Sequence, residues 1–185
     1  MRFQSVFVLP VILVAAACGS NEPAAPATEE TASTDAGLDT TPRRAVATVK
    51  SADGKNIGTA TLLPAGDGMR LALQVSGLPA GDHGVHIHAV GKCDGPKFES
   101  AGAHWNPRDK LHGLENPQGP HAGDMPNLTV GEDGSGIVNA TLPGTNVEAL
   151  FDEDGAAVVV HAKKDDQRTD PSGDSGGRIA CGVLG

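Results

Sequence analysis

From Ala45 onward the chain is a succession of short alternating runs, each closed by glycine, proline or aspartate. Ala45-Val46-Ala47-Thr48-Val49 leads to a turn at Ala52-Asp53-Gly54-Lys55, and Ile57–Leu62 leads to a turn at Pro64-Ala65-Gly66-Asp67-Gly68. Met69–Val75 places Leu71, Leu73 and Val75 on one side. A period of two suits a half-buried strand and leaves little room for long helices. Further strands are expected at Val85–Ala89, Asn127–Val130, Gly136–Leu142, Ala156–Ala162 and Ile179–Val183. These eight runs predict an all-β, eight-stranded antiparallel barrel or sandwich. The 25 glycines, the 13 prolines and the absence of tyrosine agree with many short strands joined by turns. Two stretches break the pattern. Cys93–Met125 has no sustained period, and Lys163–Gly177 is charged and glycine-rich. Long loops in a compact domain are usually functional.

The chain before Arg43 is of another kind. Arg2 precedes an apolar run, Val6–Ala17, which ends in small residues as signal peptides do. Cys18 follows directly, which resembles the lipobox of bacterial lipoproteins, although Ala15 stands where a larger aliphatic residue is usual. The expected organisation is a signal peptide over 1–17, a lipidated Cys18 opening a flexible tether over 18–42, and one folded domain over 43–185. Gly19–Thr41 carries five acidic residues and neither basic nor aromatic ones, too little apolar surface to pack a core. The expected location is exported: periplasmic or cell-surface, held at a bacterial membrane through the lipid on Cys18. The net charge of −9 argues against a nucleic-acid partner. With Cys18 taken by lipid, Cys93 and Cys181 remain, and two cysteines in an exported domain read as one disulfide.

All seven histidines lie between His83 and His161. Neutral imidazole is the commonest metal ligand and suits zinc and copper. His86 and His88 share one face of a strand whose Val85 and Ile87 point the other way. His161 ends the apolar strand Ala157–Val160, and joins them only if the two strands are neighbours. His104, His112, His121 and Asp124 supply three imidazoles and a carboxylate, a set suited to a closed tetrahedral zinc site. The spacing therefore announces more than one ion.

His83-Gly84-Val85-His86-Ile87-His88, Gly102-Ala103-His104-Trp105-Asn106-Pro107, His121-Ala122-Gly123-Asp124, Val160-His161 and Gly177-Arg178-Ile179-Ala180-Cys181-Gly182-Val183 together resemble copper–zinc superoxide dismutase, in type, order and spacing. The resemblance runs from Arg43 to Gly185. It implies Greek-key connections between the strands, with Cys93–Met125 as the metal-binding loop. It implies one copper held by His86, His88, His104 and His161, and one zinc held by His104, His112, His121 and Asp124. His104 would be shared between the metals and carry protons in catalysis. His83 would be a supporting histidine without a metal. Asp165 would join a copper histidine to a zinc histidine, with its neighbour Asp166 an open alternative. Arg178, carried toward copper by Cys181, would dock the substrate, superoxide anion. A non-catalytic copper-binding or copper-delivery lipoprotein on the same fold is the competing reading, which would fit an incomplete ligand set or a missing arginine. Asp165, Asp166, Asp170 and Asp174 offset Lys163, Lys164 and Arg168 in the charged loop, so steering is not assigned to it; Lys92, Lys97 and Lys110 are other sources. The strand pattern does not distinguish a monomer from a homodimer.

Overall fold

A computed structural model describes residues 44–185. The predicted signal peptide, Cys18 and the tether through residue 42 lie outside the described residues.

The described residues form nine strands: β1 (Ala45–Ser51), β2 (Asn56–Ala65), β3 (Gly68–Val75), β4 (Gly81–His83), β5 (Val85–His88), β6 (Leu128–Val130), β7 (Gly136–Pro143), β8 (Ala156–His161) and β9 (Arg178–Leu184). They pair in the order β4-β6-β7-β3-β2-β1-β9-β8-β5, antiparallel throughout. The ends of that order, β4 and β5, are separated along the chain by Gly84 alone. A single stretch, Gly81–His88, thus pairs with β6 through its first half and with β8 through its second. The sheet curls into a nearly closed barrel whose seam lies at Gly84. The non-sequential neighbours are the Greek-key crossovers. All eight expected strands are present. The ninth, β4, is three residues long and has no alternation that would reveal it.

The core follows the period-two pattern. In β3, Met69, Leu71 and Leu73 are fully buried while Arg70, Ala72 and Gln74 face out. Each such apolar side chain contributes roughly 1.5–3 kcal/mol on leaving water. β8 has no exposed position, because both its faces are covered. Ala156, Val158 and Val160 join the barrel interior, whereas Ala157 and Val159 pack outside with Phe98, Ala101 and Cys181. The Cys93–Cys181 disulfide, with its Cα atoms 5.7 Å apart, pins the start of the long loop onto β9 at this outer cluster. The loop then runs along the free edge of β5, where the Ile87 N–H donates to Gly123 O and the Trp105 N–H donates to Ile87 O. Backbone bridges pair His86 with Asp124 and His88 with His104. These contacts bring the loop histidines beside the strand histidines.

Candidate metal centre

His86 and His88 project from β5 on the face opposite Val85 and Ile87. They are nonetheless buried, because the long loop covers that face. β8 is the hydrogen-bonded neighbour of β5, and a bulge after Val160 turns His161 into the same space. The His161 N–H donates to Gly84 O at 2.8 Å, which fixes that turn.

Ring nitrogens of His86, His88, His104 and His161 converge within 4.8 Å of one another. The outward nitrogens are engaged. His86 Nε2 lies 2.6 Å from Asp165 Oδ2, His88 Nδ1 2.9 Å from Gly102 O, and His161 Nδ1 3.2 Å from Gly176 O. Each of these oxygens accepts, so each nitrogen donates, and the inward nitrogens are left as lone-pair acceptors. Among the described residues, His86 Nδ1 and His104 Nε2 are buried with no partner at all. His88 Nε2 and His161 Nε2 face each other at 3.4 Å. Buried acceptors without donors are costly, and a cation in their midst is what four converging lone pairs suit.

A second set meets around Asp124. Its Oδ1 lies 3.2 Å from His104 Nδ1, 3.0 Å from His112 Nδ1 and 3.3 Å from His121 Nδ1. His121 Nδ1 and His104 Nδ1 are 3.4 Å apart. Four ligands about 2.0–2.1 Å from a tetrahedral zinc lie about 3.3–3.4 Å from one another, so these spacings fit that ion. The other carboxylate oxygen, Oδ2, accepts from the Gly113 and His121 backbone N–H groups at 2.8 and 2.9 Å. The two sets meet at His104, whose Nε2 faces the first and Nδ1 the second. The His86 ring also comes within 4.8 Å of His104, His112 and Asp124, but its Nε2 is committed to Asp165.

Arg178 stands beside the first set. Its guanidinium donates to Phe98 O and Gly102 O, each at 2.6 Å. Gly102 O also accepts from His88 Nδ1, so one carbonyl fixes both the cation and a donor histidine.

Residues 56–184 match the family model described as copper/zinc superoxide dismutase. The chain belongs to that family. It is 44% identical over 137 residues to a copper–zinc superoxide dismutase of Aquifex aeolicus, covering 71% of this chain and 81% of the relative. It is 41% identical to that of Caulobacter vibrioides, over 76% of this chain and 84% of the relative. Among solved structures, the superoxide dismutase-like protein of Bacillus subtilis matches with a TM-score of 0.71 at 40% identity, covering 75% of this chain and 97% of that one. The copper–zinc superoxide dismutase of Brucella abortus matches at 0.65 and 28% identity, covering 77% and 100%. Copper and zinc are the cofactors of this family, and the two donor sets fit them.

Asp165, rather than the alternative Asp166, reaches the clustered histidines of this superoxide dismutase family member. It is fully buried, bonds His86 Nε2, and lies 3.1 Å from His112 Nε2. The Gln167 N–H donates to Oδ1, and the Asp165 N–H donates to Asn127 Oδ1. Gly173 is required here, for a Cβ at that position would collide with Asp165 Oδ1 and His112 Nε2. Asp166 is exposed and accepts from Thr169 and from the Arg168 backbone. His83 bridges the Pro79 and His161 carbonyls at 2.9 and 2.8 Å, which braces the turn into His161.

Burial dominates the titration of His86, His88, His104 and His161. It lowers His86, and it holds His88 at about 2, His104 at about 4 and His161 at about 3, so these rings stay neutral and keep their lone pairs. His112 also pays a desolvation cost, but Asp124 and Asp165 outweigh it and raise the ring to about 9. Asp124 and Asp165 are pulled well below the usual carboxylate range; burial opposes this, and the bonds from the histidines win. Burial lowers Arg178 from its high ordinary value. In the charged loop, Lys164 pairs with Asp82 at 3.4 Å and Arg168 with Glu115 at 2.7 Å, while the methylenes of Lys163 pass over Gly176.

Reading the sequence missed the carbonyls of Gly102, Phe98 and Gly176, because a backbone acceptor has no side-chain signature. It missed Asn127 because that residue looked like the start of a strand. It also missed Asp170, whose Oδ1 accepts from the His112 N–H at 2.7 Å.

Proposed function

We propose that this chain is an exported, membrane-tethered enzyme that dismutes superoxide to oxygen and hydrogen peroxide. Copper sits among His86, His88, His104 and His161, and zinc among His104, His112, His121 and Asp124. The observation that carries this reading is His104, with one ring nitrogen in each donor set. Copper supplies one-electron chemistry in both directions, whereas zinc has no redox chemistry.

The residues supply the rest. Arg178, a permanent cation fixed beside His88, binds the superoxide anion next to the copper donors. His104 holds a proton at Nε2 whenever that nitrogen is free, and gives it to the departing peroxide. With Nδ1 committed on the zinc side, Nε2 is the only position that proton can take. Two superoxide anions and two protons become one oxygen and one hydrogen peroxide, so one electron passes between the two substrates. Asp165 ties His86 to His112 and keeps both outer nitrogens protonated.

The apolar run before Cys18, Cys18 itself and the core-poor segment over 18–42 support reading 1–17 as a leader, Cys18 as lipidated, and the domain over 43–185 as held outside the cytoplasm at a membrane. The Cys93–Cys181 disulfide supports an oxidising compartment. Labelling with a fatty acid that Cys18→Ala abolishes would establish the anchor. An ordinary cleaved leader would leave both proteins unlabelled.

The deciding experiment is superoxide turnover by the copper- and zinc-loaded protein beside Arg178→Ala and His161→Ala. Arg178→Ala is expected to keep both metals and lose roughly 10-fold or more in kcat/KM, the lower end of what local steering supplies. His161→Ala is expected to lose copper affinity and activity together. Wild-type protein that binds both metals without turning over superoxide would select the non-catalytic copper-binding reading. That reading is weakened by the completeness of the donor sets and by Arg178.

A further inference from the structure

The outward ring nitrogens of the donor histidines follow a rule with one departure. His86 and His112 reach Asp165, at 2.6 and 3.1 Å. His88 reaches Gly102 O at 2.9 Å and His161 reaches Gly176 O at 3.2 Å. His121 Nε2 instead faces Asp170 Oδ1 at 3.7 Å, beyond hydrogen-bond length. The same Oδ1 accepts the His112 backbone N–H at 2.7 Å. One carboxylate from the charged loop thus grips the main chain of one donor and confronts the ring of another.

We infer that Asp170 is a positioning residue of the zinc centre, seating the charged loop on His112 and completing the hydrogen bonding of His121. The inference rests on reading His112, His121 and Asp124 as zinc donors. A metal at His121 Nδ1 obliges the ring proton to sit on Nε2, which points at Asp170. A carboxylate there fixes the tautomer, orients the ring and raises its basicity, as partners of metal-bound histidines do. The Asp170 side chain is 44% exposed, so it is free to close the remaining gap of about 1 Å to a hydrogen bond. Asp170 lies five residues after Asp165 and eight before Arg178. Zinc held at His121 therefore bears on the loop that leads to the substrate-binding cation. By linkage, whatever seats this loop also tightens zinc.

The neighbouring ion pair offers a control. Arg168 joins Glu115 through two hydrogen bonds, at 2.9 and 2.7 Å, and ties the same two loops without touching a zinc donor. Zinc affinity would be measured by chelator competition on the full chain, for wild type, Asp170→Ala, Asp170→Asn and Arg168→Ala. The His121 Nε2–H resonance of the zinc-loaded proteins would be followed by NMR. Asp170→Ala is expected to weaken zinc about 10–100-fold and to speed exchange of the ring proton. Asp170→Asn keeps an acceptor oxygen for both partners and is expected to recover part of each. Arg168→Ala is expected to stay within about fivefold of wild type, the most that an exposed pair is usually worth, and to keep the ring proton. Asp170→Ala within fivefold of wild type, or Arg168→Ala as damaging as Asp170→Ala, would overturn the inference. Wild-type protein that binds no zinc would instead overturn the assignment of the zinc donors.

Discussion

Removing the disulfide is expected to cost the fold about as much as the most severe single core truncations. Cys93 and Cys181 are 88 residues apart, and a cross-link of that span lowers the entropy of the unfolded chain by an amount worth about 4.6 kcal/mol at 25 °C. The native state also loses the buried Cys181 sulfur from its packing against Phe98, Ala101 and Val159. Cys93→Ala/Cys181→Ala should therefore unfold at lower urea, with a melting temperature lower by roughly 10–18 °C for a domain of this size. The comparison belongs on metal-free protein, since bound ions add stability by mass action and would mask the difference. The same loop presents Phe98 O and Gly102 O to Arg178, so the metal-loaded variant should lose turnover as well as stability. A loss below about 1.5 kcal/mol on metal-free protein would refute the reasoning, because the loop would then be held in place without the cross-link.

Three further outcomes are expected. Asp165→Ala strands the outer nitrogens of His86 and His112, and zinc affinity should fall about 10–100-fold in a chelator titration; an unchanged affinity would count against its bridging role. Metal-free protein should lose stability as pH falls from 6.5 toward 4. His88, His104 and His161 are folded with values near 2, 4 and 3, so below 6.5 the unfolded chain takes up protons that the folded chain refuses. His112, near 9, works the other way: its contribution is complete below 6.5 and fades as pH rises through 9. A urea midpoint that stays flat from pH 7 to 4.5 would contradict this. Trp105, buried next to His104, should be quenched when Cu(II) is added to zinc-loaded protein, and unchanged emission would place copper elsewhere.

The strands and the clustering of the histidines were legible in the sequence for a common reason. A period of two in Met69–Val75 states which side is buried, and the same period put His86 and His88 together. Asp124 was legible from its position after His121. What remained hidden depends on chain folding over itself. His161 could be a donor only because β8 lies against β5. The choice between Asp165 and Asp166 turned on Gly173, whose missing side chain leaves room for one carboxylate. Gly102 O, which serves both His88 and Arg178, carries no trace in residue type. β4 escaped notice because three residues are too few to show a period.

Gly84, the seam of the barrel, has a consequence for anyone who wishes to harden the protein. Replacing a strand glycine by alanine is a common route to heat resistance, worth about 0.4–1 kcal/mol where the backbone tolerates it. At Gly84 the added methyl would sit 2.9 Å from the Ser175 Cβ, 3.2 Å from the Asp165 Cβ and 3.3 Å from His86 Cε1. Any gain in chain stiffness would come with displacement of the charged loop and of the His86 ring. Overpacking of this kind costs about 1–3 kcal/mol, more than the stiffening returns, so survival of heating and turnover should both reject alanine here, and the usual route to a hardier barrel fails at its seam.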